Sequence, residues 1–156
     1  MKKLILLLFT FSIFCSSCSN DDDGIPQQQY KMQEANDSGI SGSAFFAKSS
    51  SPIDGVFLVD IQLMEADIDA VYTAFLYENS LSEGGDVIFR FRDFYNLPDT
   101  DRMSSANYFD SSTQLTFNNE VLTYQDLIAF DGHIKIYNSN DLSTPIAEGN
   151  IGSNTQ

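Results

Sequence analysis

Cys15 and Cys18 are the only thiols in the chain, and His133 is its only imidazole. A C-x-x-C pair serves redox or metal chemistry when a folded scaffold presents it. Here the pair sits behind an apolar run and ahead of three aspartates, in "SSCSNDDDG". A thiol in that place suits acylation, in which its sulfur takes a diacylglycerol and small side chains ahead of it let a peptidase cut. Ser16 and Ser17 precede Cys18, whereas the bulky Phe14 precedes Cys15. Cys18 is therefore the expected lipid-attachment residue, and Cys15 is expected to leave with the leader. No thiol follows Cys18, so a domain behind it has no disulfide to draw on.

In "HIKIYN", His133 alternates with Ile134 and Ile136, which predicts an exposed position beside Lys135 and Tyr137. A Ser-His-acid hydrolase needs partners that the sequence does not single out. Gly39-Ile40-Ser41 begins a G-x-S-x-G pattern, but Ser43 ends it. Glu65, Asp67 and Asp69 cluster at an expected hairpin tip. Paired carboxylates suit glycoside hydrolysis or Ca²⁺, but a solvated acidic turn is the expected reading. Asp99, Asp101 and Asp110 are weak Ca²⁺ candidates. A twelve-residue calcium loop started at Asp99 fails at Met103, and at Ser104 where glycine is wanted. No catalytic residue, metal set or cofactor is assigned, and the expectation is a protein that is not an enzyme. Tyr95, Tyr108 and Phe109 flank the irregular stretch "YNLPDTDRMSSANYFDSS" and are the candidate ligand-contact residues. Rings on a loop above a sheet suit stacking on a sugar or docking a protein. The alternative is that they fold back and plug one end of the core.

Charge narrows the partners. The chain carries 22 acidic and 8 basic residues, for a net charge of −14. Loss of Lys2 and Lys3 with a leader would make the balance still more acidic. Such a surface repels phosphate backbones, so nucleic acid is not an expected partner. Apolar residues make up 42% of the 156, enough for one domain with a core.

The N-terminus reads as a processing signal. "MKK" supplies a basic region, "LILLLFTFSIF" an apolar run of eleven residues, and "CSSC" the small-residue site. The run is too short to span a bilayer, which takes roughly 20 residues. This segment resembles the leaders of Bacteroidota lipoproteins: two lysines, a short Leu/Phe-rich run, a loose lipobox ending in Ser-Cys, then an acidic cluster. The usual lipobox carries Leu three positions before the lipidated Cys, where this chain has Cys15. In that group an acidic cluster such as "CSNDDD" is associated with export to the outer face of the outer membrane. The resemblance thus implies an outer-membrane, lipid-anchored protein at the cell surface. "NDDDG" also reads as the start of a solvated linker.

Behind the signal of residues 1–17, residues 18–39 are polar without a sustained period and are expected to be a flexible acidic tether. A chain of about 20 residues spans about 25 Å. Residues 40–156 are expected to form a single β-domain. "ISGSAFFAK" reads as its first strand, followed by a turn at Asp54-Gly55. In "GVFLVDIQLM", Phe57, Val59, Ile61 and Leu63 share a face; in "DVIFRFRDF", Val87, Phe89 and Phe91 do. "QLMEADIDAVYTAFLYE" reads as strand–turn–strand, although its spacing also suits a helical stripe. "TQLTFNN" and "EVLTYQDL" read as strands about Asn118-Asn119, "FDG" as a turn, and "TPIAEGNIG" as a last short edge strand. The sum is an all-β fold, an antiparallel sandwich of about seven to eight strands, with a small lipocalin-like barrel as the alternative. Small lipid-anchored β-domains of Bacteroidota, some lipocalin-like, show a similar succession of "FRFRDFYNL", "STQLTFNNEVL" and "FDGHIKIYN". The functional expectation is a non-catalytic binding or interaction module, held to the membrane by its N-terminal lipid, with a surface protein or a glycan as partner. The alternatives are a carrier of a small apolar ligand or a small hydrolase.

Overall fold

A computed structural model describes residues 26–49 and 56–155; Cys15, Cys18, Asp21 to Asp23 and the Asp54-Gly55 turn lie outside them. The described residues are all-β with one short helix. In order it forms β1 (Gln27–Glu34), β2 (Ser41–Lys48), β3 (Phe57–Met64), β4 (Tyr72–Glu78), β5 (Val87–Arg90) and β6 (Tyr95–Asn96). Then follow β7 (Arg102–Phe109), β8 (Thr116–Phe117), β9 (Glu120–Val121), α1 (Tyr124–Ile128), β10 (Asp131–Asn138) and β11 (Asp141–Gly152). Nine strands make one curled antiparallel sheet in the order β5-β4-β10-β11-β1-β2-β3-β7-β6, a half-barrel, and β8 and β9 pair apart from it.

Alternation decides what faces inward. The period-two run of β3 buries Phe57, Val59, Ile61 and Leu63 almost completely, and β10 buries Ile134 and Ile136. Neighbours in register carry the same layer across the sheet: Phe46 lies opposite Val59, Ala44 opposite Ile61, and Ile136 opposite Ala74. Each large side chain so buried contributes roughly 1.5–3 kcal/mol. The β3–β4 segment is strand–turn–strand rather than helix. Glu65 makes the turn in a left-handed conformation (φ 59°), which breaks any helical run.

The two edges of the sheet meet across the chain between β5 and β6. Phe91 N–H donates to the Ala74 carbonyl of β4 (2.9 Å) and Phe94 N–H to that of Tyr72 (3.1 Å). Between them, Arg92 N–H donates to Asn107 Oδ1 of β7 (2.9 Å), and the Ser105 hydroxyl donates to the Arg92 carbonyl. Two polar side chains inside the core are thereby accounted for, since buried polar groups need partners.

Six expectations are corrected. Gln27–Glu34 of the expected tether is β1, an interior strand, because Tyr30 and Met32 alternate into the core. The expected irregular stretch contains β7, which pairs with all eight residues of β3. "YQDLI" is helical: Thr123 caps the helix, and the Asp126 carboxylate accepts from the Thr123 backbone N–H in return (2.9 Å). Its Tyr124 and Leu127 enter the core. "FDG" is not a turn, since Asp131 and Gly132 open β10. The last strand is twelve residues long and lies between β10 and β1, not at an edge. Val87, expected inward, is 52% exposed, because a register shift between Leu76 and Tyr77 loosens the β4–β5 pairing. The Asn118-Asn119 turn stands, with both residues at positive φ (52° and 64°) as a two-residue hairpin requires.

Candidate functional site

Tyr108 and Phe109 are neighbours on β7 and so point to opposite faces. Phe109 is 1% exposed, stacked on Phe57 with ring centroids 4.8 Å apart, and is core. Tyr108 is 61% exposed on the outer face. Tyr95 sits opposite Ser104 in register and shares that face, roughly 13 Å along β7 from Tyr108. The three candidate contact residues therefore do not form one platform. Phe94, at the same end, is also buried, edge-on to Tyr72.

Asp99 and Asp101 lie before β7 and Asp110 after it, so the length of an eight-residue strand, roughly 25 Å, separates them. They cannot ligate one ion. Asp110 is a turn residue: its carboxylate accepts from Ser112 N–H (2.7 Å), the Ser112 hydroxyl (2.7 Å) and Thr113 N–H (2.8 Å). These bonds hold its pKa below the usual carboxylate value. Asp67 plays a similar part in the β3–β4 turn, accepting from Asp69 N–H at 3.0 Å.

His133 is buried, not exposed. Its parity is the expected one, beside Lys135 and Tyr137, but that face of β10 is covered. Its ring stacks on Tyr77 of β4 (4.9 Å, 6°), and Nδ1 lies 2.7 Å from the Asn79 carbonyl, in the turn after β4. Burial pushes its pKa below the ordinary histidine value, so the ring is neutral at pH 7. Beside it, the Lys135 ammonium lies 5.7 Å from the centre of the Tyr77 ring and 4.0 Å from Glu148, and the Tyr77 and Tyr137 hydroxyls meet at 3.1 Å. Burial also raises the pKa of Tyr137. This is a packed cluster that locks β4, β10 and the Asn79 turn together. No hydroxyl nucleophile is hydrogen-bonded to the imidazole among the described residues.

A concave feature lies one strand further on. β1 and β11 pair only at Gln33–Glu148 and Glu34–Ala147, and towards Gln27 the two strands part. A trough of about 590 Å³ opens there. Gln29, Lys31 and Gln33 share the outer face of β1 along one side, and Glu148 and Asn150 that of β11 along the other. Leu81 overhangs it, its N–H donating to Asn150 Oδ1 at 2.8 Å. The size falls within the roughly 300–1,000 Å³ of small-ligand sites. Its carboxylates do not converge: Gln33 lies opposite Glu148, so Glu34 points to the other face of the sheet from Glu148.

"QQQYKMQE" hid this trough in the sequence, because glutamine-rich polar segments resemble linkers. The signal was the alternation of Tyr30 and Met32 against Gln29, Lys31 and Gln33. No protein-family model, curated protein or solved structure gives a significant match to the chain.

Proposed function

We propose that the protein is a non-catalytic binding module, anchored in the outer membrane through a lipid on Cys18 and exposed at the cell surface. The polar trough between β1 and β11 carries the binding half of this reading. It is open and of ligand size, yet its two carboxylates, Glu34 and Glu148, face opposite sides of the sheet. Catalysis needs such groups to converge, whereas here His133 is sealed under the Asn79 turn and the acidic residues cap separate turns. The inside of the curl favours a binding module over a carrier, because Phe46, Phe57, Phe91, Phe109, Leu115 and Leu127 fill it. As architecture we favour a sandwich: β6-β7-β3-β2-β1 and β11-β10-β4-β5 are two wings joined by two register pairs, and the trough marks the corner where they part.

Cys18, behind Ser16 and Ser17, supports the anchor. The test is expression of the full chain in a Gram-negative host fed a labelled fatty acid. The native chain is expected to take up label and to sediment with outer membranes, and Cys18→Ala to do neither. Equal partitioning of both chains would refute the anchor. Protease treatment of intact cells then distinguishes the two faces of the membrane.

A further inference from the structure

The trough differs from the rest of the surface in what lines it. Amides dominate its outer face: Gln29, Gln33 and Asn150, joined by Asn154 and the Thr155 hydroxyl. Each amide offers donors and an acceptor side by side. A pair of neighbouring hydroxyls offers the complement, with a donor and acceptor on each oxygen. Apolar lining is scarce, with Leu81 overhanging one wall and the buried Tyr30 beneath, so an apolar ligand or a peptide with anchoring side chains finds no pocket. Charge disfavours anions: on the outer face Glu148 stands against Lys31, and the chain as a whole is at −14.

We infer that the β1–β11 trough binds a short neutral oligosaccharide, held by hydrogen bonds from the amide rows of Gln29 and Gln33 on one wall and Asn150 on the other. The inference rests on the reading of the protein as a binding module and names the ligand class for it. Two features suit the walls to this task. Gln29 Nε2 already donates to Ser43 Oγ (2.9 Å), which leaves its carbonyl oxygen oriented for an incoming hydroxyl. Asn150 Oδ1 is held by Leu81 N–H, which turns the Asn150 amino group to the other side as a fixed donor.

The test is titration of the purified full chain, in detergent micelles, with neutral trisaccharides of glucose, galactose and mannose, followed by ¹⁵N NMR. At least one is expected to bind and to shift the amides of Gln29–Gln33 and Glu148–Asn150. A Gln29→Ala/Gln33→Ala double variant removes two exposed side chains and should weaken binding about tenfold or more with an unchanged melting temperature. Asn150→Asp keeps the acceptor for Leu81, loses the donor, and should weaken binding similarly. Tyr108→Ala on β7 should bind as the native chain does. The inference is overturned if none of the trisaccharides shifts the trough, if Tyr108→Ala rather than the trough variants abolishes binding, or if a sialylated trisaccharide or an unstructured hexapeptide binds more tightly. Cys18→Ala is expected to bind with native affinity, so a failed anchor and a failed ligand are told apart.

Discussion

Replacing Phe109 by alanine, and separately Tyr108 by alanine, tests the assignment of two adjacent aromatic residues to opposite faces of β7. Phe109 is 1% exposed, stacks on Phe57 at 4.8 Å and meets Phe89 of β5 edge-on at 5.3 Å. Truncating a buried Phe costs about 3–5 kcal/mol, from lost transfer free energy and the cavity left behind. Two ring pairs, each worth about 0.5–1.5 kcal/mol, place this site in the upper part of that range. The Phe89 contact also joins the two edges of the sheet, so little backbone can collapse into the hole. At about 3–5 °C per kcal/mol for a domain of this size, Phe109→Ala should melt about 12–25 °C lower. Tyr108 is 61% exposed, and its loss should change stability by no more than about 0.5 kcal/mol. Urea unfolding followed by circular dichroism and intrinsic tyrosine fluorescence measures both variants. A cost below about 1 kcal/mol for Phe109→Ala, or a greater cost for Tyr108→Ala, would refute the register of β7 against β3.

Three further outcomes are expected. His133 is the only histidine, so its ring signals are unambiguous, and an NMR titration should find its midpoint below the ordinary value of about 6.5. Since burial lowers the folded-state pKa, the unfolded chain takes up the proton first. Stability is therefore full above about pH 6.5 and falls on acidification towards the folded pKa; an unshifted midpoint would show that the ring is not sealed. Thr123→Ala removes the N-cap of α1 and should cost about 0.5–2 kcal/mol in urea unfolding, while Thr123→Ser should restore most of it. Gly149→Ala should destabilise by about 1–3 kcal/mol, because a Cβ there would sit 2.2 Å from the Lys31 carbonyl oxygen and pry β1 from β11; a native melting curve would place the seam elsewhere.

The strands with clean alternation were legible from residues alone. β3 and the inner face of β10 follow directly from Phe57, Val59, Ile61, Leu63, Ile134 and Ile136. Among the described residues, eight of the eleven strands have four or more residues, in line with the seven to eight expected. What failed did so for identifiable reasons. β7 has Ser104, Ser105 and Asn107 at buried positions, and polar residues there erase the apolar signal. Their partners, Asp60 for Ser104 and the Arg92 backbone for Ser105 and Asn107, come from distant parts of the chain. α1 is a single turn or so, with no room for a periodic stripe, though the Thr123-x-x-Asp126 cap was written in the sequence. His133 had the right parity and the wrong exposure, because parity assigns a face and says nothing about what another loop lays over it. The candidate site was the least legible, since a trough made by two parting strands depends on a pairing across more than a hundred residues.

That pairing bears on when the protein can fold. Among the described residues β1 is the first strand and β11 the last, yet both lie in the interior of the sheet, tied also by Asn36 Nδ2 donating to the Pro145 carbonyl across 109 residues. Contacts of such range must pay for loop closure before they return any stability, so folding is slow. A chain emerging from the ribosome therefore lacks the centre of its sheet until Asp141–Gly152 is made. On the proposed route to the cell surface this delay is useful, because a polypeptide that has not yet closed is one that can still be threaded through a membrane.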